Sequence, residues 1–83
     1  MFTVYVLKSR VNNRLYVGQT NDIERRMSEH NSGKSKYTSL TFPFDLIYGE
    51  NMPTRIDALR REKSLKSGKG REWLKVKLVE QSP

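Results

Sequence analysis

The chain has 83 residues, no cysteine, and 16 Lys and Arg against nine Asp and Glu, for a net charge of +7. A chain of that length forms one domain, here 1–83 with a core of about 2–80, burying only about 60% of its unfolded surface, and without cysteine it has neither a disulfide framework nor a thiolate metal site. The charge is uneven: residues 1–54 hold seven basic and five acidic groups and residues 55–83 hold nine and four, the footprint expected of a polyanion partner, most simply nucleic acid.

No basic segment leads into an apolar stretch at the N-terminus, and the apolar run at residues 2–7 is far below the ~20 residues of a membrane span. A cytoplasmic protein without leader or membrane anchor is therefore expected. Val4-Tyr5-Val6 and Tyr16-Val17-Gly18 have the β-branched and aromatic composition of strands, and Asn12-Asn13 between them suits a tight hairpin turn. A two-residue loop would set Tyr16 opposite Ser9, Gly18 opposite Leu7 and Thr20 opposite Tyr5. Cross-strand partners share a face. Val4, Val6, Leu15 and Val17 then form one face, while Tyr5, Tyr16 and Gly18 gather on the other.

Asn21, with Glu24 three residues on, predicts the cap of a helix running to about Asn31. On that helix Ile23, Met27 and His30 form a stripe; Arg26 lies beside it and Arg25 points nearly the opposite way. Residues 32–41 read as an exposed loop in which Lys34, Lys36 and Tyr37 are candidate phosphate and base contacts. A third strand is expected over residues 45–49, beginning no earlier than Phe44 because Pro43 cannot donate to a ladder. Thr54 and Asp57 cap a second helix reaching about Ser67, with Ile56, Ala58, Leu59 and Leu65 on its apolar arc and Glu62 inside that arc. A third helix over residues 71–80 supplies Trp73, Leu74 and Leu78 to the core. The order ββαβαα predicts an α/β (α+β) fold: a three-stranded sheet, an N-terminal antiparallel hairpin plus one strand, covered by helices.

The two strand triplets, the following Gln19-Thr20-Asn21-Asp22, then Arg26, His30-Asn31, Lys36-Tyr37-Thr38 and the stretch from Ala58 to Glu62 together resemble the GIY-YIG nuclease superfamily, most closely its small stand-alone bacterial members. The likeness spans most of the chain. Val4 stands where the first triplet of the family has its glycine. The resemblance implies a divalent-metal-dependent endonuclease that hydrolyses DNA phosphodiesters in a repair or processing context. It implies Tyr16 as general base or water-positioning group, Tyr5 as the orienter of Tyr16 or of the water, and Glu62 as ligand to Mg²⁺ or Mn²⁺. Arg26 and His30, four residues apart on one helical face, are suited to lowering the pKa of the Tyr16 phenol or taking its proton. Gly18 is expected to let a substrate backbone come close.

One departure bears on activity. Many family nucleases carry an asparagine after the metal-binding glutamate, and here no asparagine follows Asn51, so a weakened or degenerate enzyme is an expectation too. Two rivals share the charge pattern: a non-catalytic nucleic-acid-binding module that kept the fold, and a protein-interaction domain whose basic face meets an acidic partner. A monomer is expected.

Overall fold

A computed structural model describes residues 1–32 and 42–81. In chain order the elements are β1 (Phe2–Ser9), β2 (Leu15–Thr20), α1 (Ile23–Asn31), β3 (Phe44–Met52), α2 (Arg55–Lys66) and α3 (Gly68–Gln81). The strands form one antiparallel sheet in the order β2-β1-β3, so β1 is central and β2 is an edge. The expected ββαβαα order and α+β class are those of the molecule.

The hairpin turns through residues 10–13, a loop of four rather than two. Buried Ser9 explains the longer loop: its hydroxyl accepts from the backbone N–H of Val11 at 3.1 Å and of Asn12 at 3.3 Å, while Arg14 N–H donates to Asn12 Oδ1 at 2.9 Å. Asn13 takes the left-handed conformation (φ 61°) that asparagine tolerates. The register therefore differs from the expected one by two: Tyr5 faces Gly18, Leu7 faces Tyr16 and Thr3 faces Thr20. An even slip preserves faces, so the tyrosines and Gly18 still share a side.

The two faces of the sheet build two cores. Val4 and Val6 point to α2 and α3 and pack with Ala58, Leu65 and Leu74. Tyr5 and Leu7 point to α1, where Phe44, Ile23 and Met27 cover them. Each strand thus reads as alternating residues delivered to opposite helical layers.

Several boundaries move for local reasons. The cap of α1 is Asp22, whose carboxylate accepts from Arg25 N–H at 3.1 Å, instead of Asn21. Thr54 caps α2 as expected, accepting from Asp57 N–H. Strand β3 runs on to Met52 because β1 is long enough to pair with it throughout. Helix α3 starts at Gly68, three residues before the expected start, since one extended residue, Ser67, suffices to turn the chain out of α2. Ile56 (63% exposed), Leu59 (48%) and Trp73 (39%) do not close the core. A sheet this narrow leaves room on α2 only for the stripe through Ala58 and Leu65.

At the α2–α3 joint Gly70 is buried against the end of α2. A Cβ there would stand 2.0 Å from the Ser64 carbonyl oxygen. No side chain fits, and that closeness fixes α3 beside the last turn of α2.

Candidate active site

Edge strand β2 lies between the two helical layers, α1 against one face of the sheet and α2 against the other. A groove of about 310 Å³ opens there, and Tyr5, Tyr16, Gly18, Arg26, His30 and Glu62 all line it. The expected convergence of these side chains is what the structure shows, with Glu62 arriving from the opposite face of the sheet. Lys34, Lys36 and Tyr37 lie outside the described residues.

Tyr5 is the centre of the polar contacts. Its hydroxyl is 3.3 Å from His30 Nε2, and Arg26 Nε donates to it at 3.4 Å. Arg26 also donates from a terminal nitrogen to Glu29 Oε2 at 3.0 Å, which fixes the guanidinium plane. The hydrogen bond with Tyr5 holds the Arg26 guanidinium even more firmly in its charged form. His30, 6% exposed, is driven below its ordinary pKa by burial and then by the Arg26 charge, against the opposing pull of Glu29. The ring is therefore neutral at pH 7, and with its proton on Nδ1 the chain Arg26 to Tyr5 to His30 Nε2 satisfies every group in turn.

The expectation couples Arg26 and His30 to the phenol of Tyr16; the structure shows contacts of both with Tyr5. Tyr16 is half-buried and packs edge-on against Phe44, ring centroids 5.2 Å apart, while His30 packs against the same phenyl ring at 5.8 Å. Asn31 sets this platform: its Oδ1 accepts from Phe44 N–H at 2.7 Å and its Nδ2 donates to Phe44 carbonyl oxygen at 3.3 Å. In the sequence Asn31 belongs to a motif that gives it no duty of its own. A two-way amide clamp between residues 13 apart leaves no local sequence signature.

Gly18 is explained by its neighbour: a Cβ there would lie 2.5 Å from the Tyr5 hydroxyl oxygen. In this structure the space kept open by the glycine is filled by Tyr5 itself.

Glu62 has a side chain 20% exposed, and its Oε2 accepts from Lys66 Nζ at 2.6 Å, one helical turn on. Beside it in the groove stands Gln19. The Gln19 side-chain oxygen, Oε1, is buried and has no hydrogen-bond partner among the described residues, a cost that is relieved when a donor or cation meets it. Among the described residues no group of three or more His, Cys, Asp or Glu is placed to hold a metal, so a cation caged by protein alone does not fit. A hydrated Mg²⁺ or Mn²⁺ fits the donor set, because such ions keep several waters and accept one carboxylate with other hard oxygens.

A fold of this order with paired tyrosines, arginine, histidine and glutamate around one sheet edge defines a class. The family model described as "GIY-YIG catalytic domain" matches residues 1–75, and the chain belongs to that family, a nuclease superfamily whose members generally use divalent metal ions. Among its relatives are the UPF0213 proteins of Staphylococcus saprophyticus, 36% identical over 88% of this chain and 89% of the relative, and of Staphylococcus haemolyticus, 38% identical over the same shares. The solution NMR structure of the UPF0213 protein BH0048 from Bacillus halodurans is similar at a TM-score of 0.55 and 36% identity, covering 89% of this chain and 82% of that one. No described helix is long and apolar enough to cross a membrane.

Proposed function

We propose that the groove at the β2 edge is the active site of a divalent-metal-dependent phosphodiesterase acting on nucleic acid, with DNA as the substrate. The observation that carries the reading is the meeting of Tyr5, Tyr16, Arg26, His30 and Glu62 in one groove, although they come from four elements and both faces of the sheet.

Hydrolysis of a phosphodiester requires an oriented water, neutralisation of charge on the phosphoryl oxygens, and stabilisation of the leaving alkoxide. Tyr16, on the groove wall, positions or deprotonates the water. Arg26, permanently charged and aimed by Glu29 and Tyr5, meets the non-bridging oxygens. Tyr5 is a positioning residue: buried between Arg26 and neutral His30, it holds the guanidinium in place, and His30 can accept its proton. Glu62 would hold a divalent ion, which when bound would supply Lewis-acid stabilisation of developing oxyanion charge. The Glu62–Lys66 pair neutralises the carboxylate in the absence of that ion.

The test pairs Glu62→Gln with wild type on labelled DNA structures, with and without Mg²⁺ or Mn²⁺, alongside melting temperatures. Expected is metal-dependent cleavage by wild type, a loss of at least ~100-fold in the variant, and unchanged melting. Equal cleavage by both proteins would end the metal role of Glu62. No cleavage by wild type on any substrate would leave the binding-module reading in its place.

A further inference from the structure

A second groove, about 720 Å³, runs from the active-site groove between β2 and the α2–α3 joint. Tyr16, Val17 and Lys66 line both, so the two adjoin. Leu15, Val17 and Tyr16 supply its accessible apolar surface, over the buried Leu65 and Leu74, and its charged groups are Arg14, Lys66, Arg71 and Lys75. All four are cations, and among the described residues lining it none is acidic.

Lys66 serves the fold, paired with Glu62 in the last turn of α2, but the placement of Arg71 and Lys75 on α3 is not one that helix electrostatics favour. Arg71 and Lys75 are spaced four apart on α3, where like charges repel. Lys69 and Arg71 stand at the start of a helix whose first turn has no acidic residue, against the positive end of its dipole. Gly70, by bringing α3 against the end of α2, holds Arg71 and Lys75 beside Lys66. The result is a cluster of positive charge around a groove that shares Lys66, the partner of Glu62, with the active-site groove.

We propose that this second groove holds the nucleic-acid strand on one side of the scissile phosphate, as a single strand. Its phosphodiesters meet Arg14, Lys66, Arg71 and Lys75, and its sugars and unpaired bases lie on the apolar floor. The proposal rests on reading the first groove as a phosphodiesterase site. Charge complementarity selects a polyanion. The apolar floor selects a strand whose bases are not already stacked in a duplex, since a paired helix presents phosphates with few apolar faces to bury. Lys66, at the junction, is positioned to exchange Glu62 for a phosphate when the strand enters.

The test measures binding of fluorescent oligonucleotides to the full chain in EDTA, where no metal-dependent cleavage occurs, as a function of salt. The probes are a blunt duplex and the same duplex with single-stranded extensions of increasing length; the proteins are wild type, Arg71→Gln/Lys75→Gln and Arg71→Glu/Lys75→Glu. Wild type should bind the extended probes at least ~10-fold more tightly than the blunt one. The neutralised variant should lose that gain, with log affinity against log salt less steep by about 1.4, about 0.7 for each single-strand phosphate no longer neutralised. Melting temperature should stay within a few degrees for the neutralised variant, which keeps the test valid if charge reversal disturbs the fold. Equal affinity for blunt and extended probes, or an unchanged slope in the neutralised variant, overturns the proposal. The two readings fail separately: if wild type cleaves nothing while the extension effect depends on Arg71 and Lys75, the strand groove stands and the phosphodiesterase assignment falls. If cleavage needs Glu62 but both variants bind like wild type, the strand groove alone falls.

Discussion

The sheet carries two tyrosine–arginine clusters, one on each face, and they are built to different standards. In the first, Arg61 grips Glu50 with two hydrogen bonds, at 2.8 and 2.9 Å, and Tyr48 donates to the same carboxylate. The Arg61 guanidinium also lies 4.5 Å from the Trp73 ring centroid, and Trp73 packs edge-on with Tyr48. Hydrogen bonds from Arg61 hold the Glu50 carboxyl below its usual range, while burial, and then the bond to Glu50, pushes Tyr48 up to about 12. In the second cluster, Arg26 and His30 meet Tyr5 at 3.4 and 3.3 Å beside an open groove. Short bidentate contacts tie β3 to α2, and the Trp73 ring brings in α3; the long contacts to Tyr5 leave Arg26, oriented by Glu29 at 3.0 Å, with donor capacity facing the open groove, as catalytic groups often have before substrate arrives.

If that contrast is right, arginine deletions separate cleanly. Arg26→Ala should lower kcat on a cleavable DNA by about 10²–10³-fold, the usual cost of losing one donor to a developing oxyanion, with melting nearly unchanged. A large drop in Tm with kcat intact would make that cluster structural too. Arg61→Ala should do the reverse, stranding a mostly buried Glu50 at a cost of about 2 kcal/mol once partial exposure is allowed for, roughly 10 °C in Tm for a chain this size. Turnover per folded molecule should stay at the wild-type value, as judged by assays well below the melting transition.

Gly18→Ala sharpens the same division, because the new methyl must displace the Tyr5 hydroxyl and with it the aim of Arg26. We expect a fall of about tenfold in kcat, on the order of 1.4 kcal/mol in the barrier, and a smaller change in KM. Wild-type kinetics in that variant would show that Tyr5 need not hold its place. The smallest effect is His30. Its folded-state pKa lies below the unfolded value of about 6.5, so the unfolded chain takes up the proton first and stability rises with pH through this window. The stabilisation is complete above about pH 6.5 and is withdrawn as pH falls from there toward the lowered value. Denaturant midpoints between pH 7.5 and 5 should decline for wild type and flatten for His30→Gln; parallel slopes would remove His30 as the source.

Much of this was legible because periodicity survives small errors. The strand alternation put Tyr5, Tyr16 and Gly18 on one face even though the loop length was wrong by two residues, since only an odd slip exchanges faces. Helical geometry distinguished Arg26 from Arg25 and put Glu62 on the inward side of α2, near Ala58 and Leu65. What one dimension could not give was that Arg26 and His30 would both reach Tyr5, because that depends on how α1 crosses the sheet. The Glu50–Arg61–Trp73 cluster escaped notice for a similar reason: its members sit on three elements and share no spacing. Ile56 and Leu59 were over-read because an apolar arc says which side of a helix can be buried, and the width of the sheet decides how much of it is.

The position of β2 at the sheet edge has a consequence for colloidal behaviour. An edge strand offers its unpaired backbone to any neighbouring chain, and charged side chains flanking the edge discourage such pairing. Arg14, Lys66 and Lys75 stand along this edge, so the charges proposed to hold a nucleic-acid strand also keep one copy of the protein from adding its β2 to another. High salt, which weakens the hold on a polyanion, should weaken this guard as well, and light scattering of the nucleic-acid-free protein should rise with ionic strength, earlier in the Arg71→Gln/Lys75→Gln variant than in wild type.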